Sequence, residues 1–425
     1  MNFASSDSAP KLRASALECV RCSARYPISH YAQDCPACRP AARSNLTVVY
    51  ENLPTPPQRP PGRSMWRWDA ALPVSRAQAV SMGEGDTPLC SLSRVADRLG
   101  VAAVYAKDES RNPTWSFKDR LASAAVSSAR ALGATTVASS SSGNAGAAVA
   151  AYAARAGLPC VVFTFVGTSG PMVTQMRAYG AMVLAVPQKG LRWTLLEKGV
   201  RERGWFPTSP FFGPAVGSNP LGIEGYKTLA YEIAEQLDWN LPDWCVLPVC
   251  YGDALIGMWK GFNEMKAWGW VDRLPRMVAA EVYGSLGAAL RQDEQAPPAM
   301  PRSYDTVAVS IGAQQGTVQS LEVLRRSGGT AVSVGNDALL EWQKVLAATE
   351  GFYAEPSAVA PLAALEIMKR GALLRPDERV VVLLTASGLK DPAATDRTLG
   401  ECPVVGADFG EALGALRDHY GFSAN

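Results

Sequence analysis

From Ala102 onward the chain alternates short apolar runs with stretches of helical period, and no other feature limits its fold as strongly. The runs fall at 135–139, 160–165, 182–186, 244–249, 277–282 and 380–384, with helix-like segments between most of them. Strands that alternate with helices in this way build a parallel α/β architecture. A length of 425 residues suits two domains plus a small appendage. No internal repeat is present. A hydrophobic content of 48% with 19% charged residues describes an ordinary globular protein, and a net charge of +2 gives no reason to expect a polyanionic partner. No basic run of the nucleic-acid-binding kind occurs. No uncharged apolar run is long enough to span a bilayer, and residues 1–15 lack the apolar core of a secretory signal. The expected location is therefore cytoplasmic, with no nucleic-acid or membrane partner.

Counting removes one large class of chemistry. The only histidines are His30 and His419, the first between two cysteine pairs and the second near the C-terminus. A Ser-His-Asp arrangement, a histidine metal site or a histidine base in the body of the chain is thereby excluded. Proton transfer must rest on Lys, Asp, Glu, Tyr or Cys. Four of the nine cysteines form Cys19-x-x-Cys22 and Cys35-x-x-Cys38. Two such knuckles suit tetrahedral thiolate ligation of Zn2+, and four thiolates leave no open position, so the metal's role would be structural. The competing reading is a degenerate ribbon that no longer holds metal. The scattered Cys90, Cys160, Cys245, Cys250 and Cys402 read as buried core thiols in a reducing compartment.

The catalytic candidate lies in Asn112-Pro113-Thr114-Trp115-Ser116-Phe117-Lys118-Asp119-Arg120. Lys118 follows a turn signal and opens an Ala-rich helical pattern over 121–132. A lysine at a helix start is partly desolvated beside the positive end of the dipole, which lowers its pKa and frees the amine. A free amine condenses with an aldehyde cofactor. The alternative is a surface lysine paired with Asp119. Two strand–loop–helix units offer binding groups. In Ser140-Ser141-Ser142-Gly143-Asn144-Ala145-Gly146, small residues let backbone N–H groups approach an anion at a helix start, although such a loop is also a common serine-rich turn. The second is Cys250-Tyr251-Gly252-Asp253-Ala254, which lacks the GxGxxG dinucleotide fingerprint. Thr385 follows the apolar run 380–384 and could simply cap the next turn. Asp119 and Glu84 read as structural partners or caps.

In shared order, several motifs resemble the pyridoxal-phosphate (PLP) enzymes of the tryptophan-synthase-β type, and most closely the threonine synthases. They are Glu84-Gly85-Asp86-Thr87-Pro88-Leu89, the Lys118 run, Ser141-Ser142-Gly143-Asn144-Ala145-Gly146, Asn219-Pro220 with Glu224-Gly225-Tyr226-Lys227-Thr228, Glu355-Pro356-Ser357-Ala358, and Thr385-Ala386-Ser387-Gly388-Leu389-Lys390-Asp391. The resemblance covers about Arg67 to Asp391 and implies two parallel or mixed-sheet domains of fold type II. It divides the chain into a zinc-ribbon-like extension (1–50), a proline-rich linker (51–64), a catalytic region (65–400, with 133–215 as a smaller mobile subdomain) and a tail (401–425). It implies that Lys118 carries PLP and returns as the base. Phe117, Asn144, Thr385 and the loop Cys250, Tyr251, Gly252, Asp253, Ala254 would hold the cofactor, with Thr385 facing the pyridine nitrogen. Ser141, Ser142, Asn144 and Ala145 would hold the substrate carboxylate.

The implied activity is a lyase or synthase on a small α-amino acid with a β or γ leaving group, in a homodimer. The resemblance has departures. Gly222 stands where a threonine synthase carries a phosphate-binding arginine, the lysine expected near Val173 is missing, and Trp115 replaces a glycine. Weak handling of O-phosphohomoserine is therefore expected unless Arg155, Arg177, Lys227 or another cation compensates. The alternatives are a β-replacement synthase, a serine/threonine-type ammonia-lyase, or a non-catalytic PLP-family binding protein.

Overall fold

Alternation in the sequence becomes two separate sheets. The computed structural model describes residues 12–29, 34–168 and 170–423, so His30 lies outside the described residues. The larger sheet has the order Thr330–Ser333, Arg276–Glu281, Trp244–Pro248, Arg379–Leu384, Ala103–Asp108, Leu89–Ser91. All neighbours are parallel except the edge strand Leu89–Ser91. The smaller sheet, in the order Met182–Val186, Cys160–Phe165, Val137–Ser140, Phe206–Pro207, is parallel throughout.

Both faces of the larger sheet are covered. Val246, Val278, Ala280, Val380 and Val382 pack under helices Ser93–Leu99, Asn336–Glu350 and Ala360–Arg370. Cys245, Leu247, Met277, Ala279, Val381 and Leu383 pack under Lys227–Gln236, Asp253–Ala267 and Val318–Ser327. Side chains alternate across a strand, so a sheet covered on both faces needs continuous apolar runs rather than alternating ones. The runs at 160–165 and 182–186 are strands with those same bounds, and the other four shift by one or two residues.

Strand Ala103–Asp108 was not among the expected strands because it carries charge. Lys107 is fully buried, and its Nζ donates to Glu232 Oε2 at 2.7 Å and to Thr87 O at 2.6 Å. Arg120 completes the network with Glu109 and Glu232, both buried. Charges paired across more than a hundred residues of sequence look like loop residues when read locally.

The N-terminal segment forms a small antiparallel sheet, Arg25–Tyr26, Ala16–Cys19, Leu46–Val49. It is tied to the body by Tyr50 Oη donating to Glu224 Oε2 (2.7 Å), Lys260 Nζ to Val48 O (2.6 Å) and Asn45 Nδ2 to Gln319 Oε1 (2.6 Å). The expectation of buried thiols holds for Cys160 and Cys245 but needs correction elsewhere. Cys90 and Cys250 are half-buried and Cys402 is exposed. Cys402 follows the last core helix, and the C-terminal helix Phe409–Tyr420 has no buried residue to draw that segment inward. No helix among the described residues is long and apolar enough to cross a membrane.

Candidate active site

Ligands of open parallel sheets bind beyond the carboxyl ends of the strands, and the sequence-selected loops all leave from such ends. Lys118 is the first residue of helix Lys118–Ala131. The turn before it is sewn to the end of strand Arg379–Leu384. Phe117 N donates to Thr385 O (2.8 Å), Ser387 N donates to Trp115 O (3.1 Å), and Ser116 bridges Ala386. Glu355 N donates to Ala386 O (3.2 Å) on the other side, so three distant loops share one short ladder.

This ladder decides between the two readings of Lys118. Asp119 turns back to accept from Thr114 N (2.7 Å) and Thr114 Oγ1 (2.5 Å). Lys118 therefore has no carboxylate partner among the described residues. Its Nζ lies 4.3 Å from the Phe117 ring centroid and 5.7 Å from that of Tyr226. Burial lowers its pKa, against the opposing pull of Asp253, Cys250 and Glu355. A half-buried amine with a depressed pKa and no counter-ion suits proton transfer or covalent work.

Asn144 opens helix Asn144–Ala156. Its Nδ2 donates to both oxygens of buried Glu355, at 3.2 and 3.1 Å. Its Oδ1 is buried without a partner. An unsatisfied buried acceptor costs about 1–3 kcal/mol, so this atom is open to a donor from a ligand. Ser141 Oγ accepts from Gly143 N (3.3 Å) and Gly146 N (3.0 Å) and shapes the loop. Among the described residues the N–H groups of Ser142, Asn144 and Ala145 have no acceptor, which leaves a helix start ready for an anion.

In the loop before helix Asp253–Ala267 the left-handed conformation falls on Gly252, at φ +79, and not on Cys250 or Ala254. A Cβ on Gly252 would lie 1.8 Å from Ser320 Oγ. Cys250 and Ala254 thus need no glycine, because Gly252 alone meets the loop's demand for a left-handed residue. The Asp253 carboxylate accepts from Ser218 N (3.0 Å) and Ser218 Oγ (2.7 Å). Tyr251 O accepts from Thr317 Oγ1 (2.7 Å) and Gln319 Nε2 (2.8 Å). Burial pushes the Cys250 thiol up to about 11, so it stays neutral near pH 7.

The family model for pyridoxal-phosphate-dependent enzymes matches residues 80–386. The chain belongs to that family. It is 35% identical to the threonine synthase of Methanosarcina acetivorans over 92% of this chain and 96% of that protein. Against the threonine synthase of Methanocaldococcus jannaschii the identity is 31%, over 90% and 95% of the two chains. Maize serine racemase shares the fold, with a TM-score of 0.63 at 19% identity over 73% of this chain and 91% of that one. The L-serine ammonia-lyase of Rhizomucor miehei does so at 0.62 and 22% identity, over 74% and 97% of the two chains.

The residues present fit PLP. The unpaired Lys118 amine, the orphaned Asn144 Oδ1 and the Gly252 cradle are what an aldehyde, a ring hydroxyl and a phosphate require. Thr385 is buried, and its side chain has no hydrogen-bond partner among the described residues. Glu84 is structural, as its sequence context indicates: it accepts from Trp66 Nε1 (2.8 Å), Ser123 Oγ (2.6 Å) and Tyr152 Oη (2.9 Å).

Sequence reading assigned no role to three neighbours of this family's site. Glu355 sits under Asn144, and burial pushes its carboxyl up to about 7. Lys390 Nζ donates to Thr114 O (2.9 Å) and to Gln175 Oε1, and burial brings it down to about 8. Tyr226 stacks on Phe117 with centroids 5.3 Å apart, and its hydroxyl is buried without a partner. All three lie inside recognisable motifs, but only the fold brings them to Lys118.

The second ligand-holding region is in the N-terminal sheet. The Sγ atoms of Cys19, Cys22, Cys35 and Cys38 all lie within 4.8 Å of one another. Cys19 and Cys38 are 3.8 Å apart and Cys22 and Cys35 3.6 Å, too far for a disulfide.

Proposed function

We propose that this protein is a PLP-dependent lyase or synthase of the threonine synthase type, acting on a small α-amino acid with a β or γ leaving group. One observation carries the reading. Lys118, with a lowered pKa and no ion-pair partner among the described residues, lies near Glu355, which holds the Asn144 amide of an anion-ready helix start and leaves its Oδ1 orphaned. Identity of 31–35% to threonine synthases across most of the chain supports the same class.

When bound, the cofactor supplies the electron sink. The chain supplies the rest. Lys118 would hold the cofactor through its Nζ, and that amine, once released, would take the proton from the substrate Cα. The N–H groups of Ser142, Asn144 and Ala145 grip the substrate carboxylate, with Ser141 shaping their loop. Asn144 Oδ1 would accept from the ring hydroxyl. The backbone of Cys250, Tyr251, Gly252, Asp253 and Ala254 would receive the cofactor phosphate, and the Thr385 hydroxyl would face the pyridine nitrogen. The homodimer belongs to the same proposal and is checked by sedimentation.

A side chain at 222 would press on the helix of Lys118. A Cβ on Gly222 would lie 3.1 Å from Ala125 Cβ and 3.2 Å from Leu121 O. Lys227 is spent on Glu224 and Glu264, and Arg155 and Arg177 are exposed in the last turns of their helices. The test is a screen of serine, threonine, homoserine and their phosphate esters for shifts of the cofactor absorption, followed by product assay. Phosphate release supports a synthase or lyase of phosphorylated substrates, and ammonia release supports the ammonia-lyase alternative. A holoenzyme whose spectrum answers no amino acid contradicts the proposal.

The four-cysteine cluster is proposed to bind one structural Zn2+. A tetrahedron with Zn–S bonds of about 2.3 Å has S···S edges of about 3.8 Å, which supports the fit of the 3.6 and 3.8 Å separations. Elemental analysis of protein purified without chelator is expected to find one zinc per chain, and its absence would contradict the assignment.

A further inference from the structure

Arg192 is 6% exposed yet has no carboxylate partner among the described residues. Its Nε donates to Lys189 O at 3.1 Å and its guanidinium sits 5.4 Å from the Phe165 ring centroid. Its two terminal nitrogens have no hydrogen-bond partner there. The side chain is largely covered while its terminal nitrogens stay open, so they are free to meet an anion. Lys189, three residues earlier, likewise makes no ion pair among the described residues. The nearby Arg302 is already paired with Asp305 at 2.7 Å.

Their place in the fold matters. Lys189 and Arg192 follow the carboxyl end of strand Met182–Val186, and Phe165 is the carboxyl end of its parallel neighbour. This is the same edge of the smaller sheet from which the Asn144 loop leaves. The loop of Cys250 and Tyr251 leaves the carboxyl edge of the other sheet, close enough for its groups to couple to both cations. Arg192 is lowered by burial, with Tyr251 pulling the other way. Lys189 is lowered by burial and by Arg192, with Cys250 opposing.

We propose that Lys189 and Arg192 form the binding site for a phosphate ester on the side chain of the amino-acid substrate, in place of the arginine that position 222 lacks. This rests on the function proposed above and names its substrate class. The planar guanidinium fork matches two phosphate oxygens, and the lysine adds a second positive charge for a dianion. The substrate's own carboxylate is taken at the Asn144 loop, so the ligand is an amino acid with two anionic ends. On this proposal O-phosphohomoserine would be bound despite the glycine at 222, against the expectation drawn from the sequence.

The test titrates the holoenzyme with O-phosphohomoserine, O-phosphoserine, homoserine and serine, read by cofactor absorption, and with inorganic phosphate, read by calorimetry. Arg192→Gln is expected to weaken both phosphate esters roughly ten- to hundredfold, while changing the neutral amino acids by less than about threefold. Lys189→Gln, an exposed position where misfolding is no concern, is expected to act in the same direction more weakly. Arg192→Lys should recover part of the affinity, and inorganic phosphate binding should fall in parallel. Equal losses for charged and neutral amino acids, or no loss, would overturn the site. Loss of PLP affinity instead would overturn it by assigning both cations to the cofactor phosphate. If the wild type answers neutral amino acids but not the phosphate esters, this inference fails alone. If it answers no amino acid, the proposed function fails first.

Discussion

The cysteine cluster and the cleft around Lys118 are both arranged to hold a ligand, but they are specified in opposite ways. The cluster draws all four of its sulfurs from 19–38, on or beside one small antiparallel sheet. The cleft draws on 115–118, 141–145, 250–254, 355 and 385–390, joined by ladders between loops far apart in sequence. A local site is fixed by spacing. A distributed site is fixed by the sheets that aim its loops, so its tolerance to change should follow packing rather than motif.

The largest effect should come from the one group that no neighbour can replace. Lys118→Ala is expected to lower turnover by roughly 10²–10⁴-fold or more, while leaving the cysteine cluster and its metal content unchanged. Measuring kcat and zinc on the same preparation checks both halves. Equal loss of both would mean that the two regions fold as one unit.

Next is Glu355. Its folded pKa of about 7 lies above the ordinary 4.5, so between those values the folded chain holds a proton that the unfolded chain has released. Stability should therefore fall as pH rises through this window, by on the order of 3 kcal/mol for a fully buried group. Glu355→Gln should flatten that fall in denaturation of cofactor-free protein at pH 5 and pH 8. Asp119, also raised to about 7 by burial, contributes with the same sign and is untouched by the variant.

Gly252→Ala sharpens the comparison at the cradle. Left-handed backbone costs a non-glycine residue about 1–2 kcal/mol, and the overlap with Ser320 adds to it. PLP affinity is expected to drop at least tenfold, read by equilibrium dialysis. Cys250→Gly, at an ordinary φ, should change it little.

The smallest effect tests whether the two regions communicate. Asn45, in the extension, donates to Gln319, which in turn donates to Tyr251 O and Asp253 Oδ1 of the cradle. Asn45→Ala removes one buried hydrogen bond, worth about 1 kcal/mol, and should weaken PLP by a few-fold. An unchanged PLP affinity would make the extension a separate structural unit.

What sequence reading found follows the same division. Cys19, Cys22, Cys35 and Cys38 were legible as a cluster because spacing alone brings them together. Lys118, Asn144 and Thr385 were legible because each sits at a strand–helix boundary inside a recognisable motif. Strand Ala103–Asp108 was missed because Lys107 is neutralised by Glu232, a partner far away in sequence. Arg192 gave no signal, since one arginine in a charged helix looks like any solvated residue until the fold buries it. Position 222 shows the converse: its glycine looked like the loss of a function, whereas the structure shows a tight approach to the helix of Lys118.

The most direct test of the account is borohydride reduction of the holoenzyme followed by peptide mapping. The account predicts a single pyridoxyl label, on the peptide carrying Lys118. A label on Lys107, Lys227, Lys390 or any other lysine, or none in protein shown to contain PLP, would contradict it.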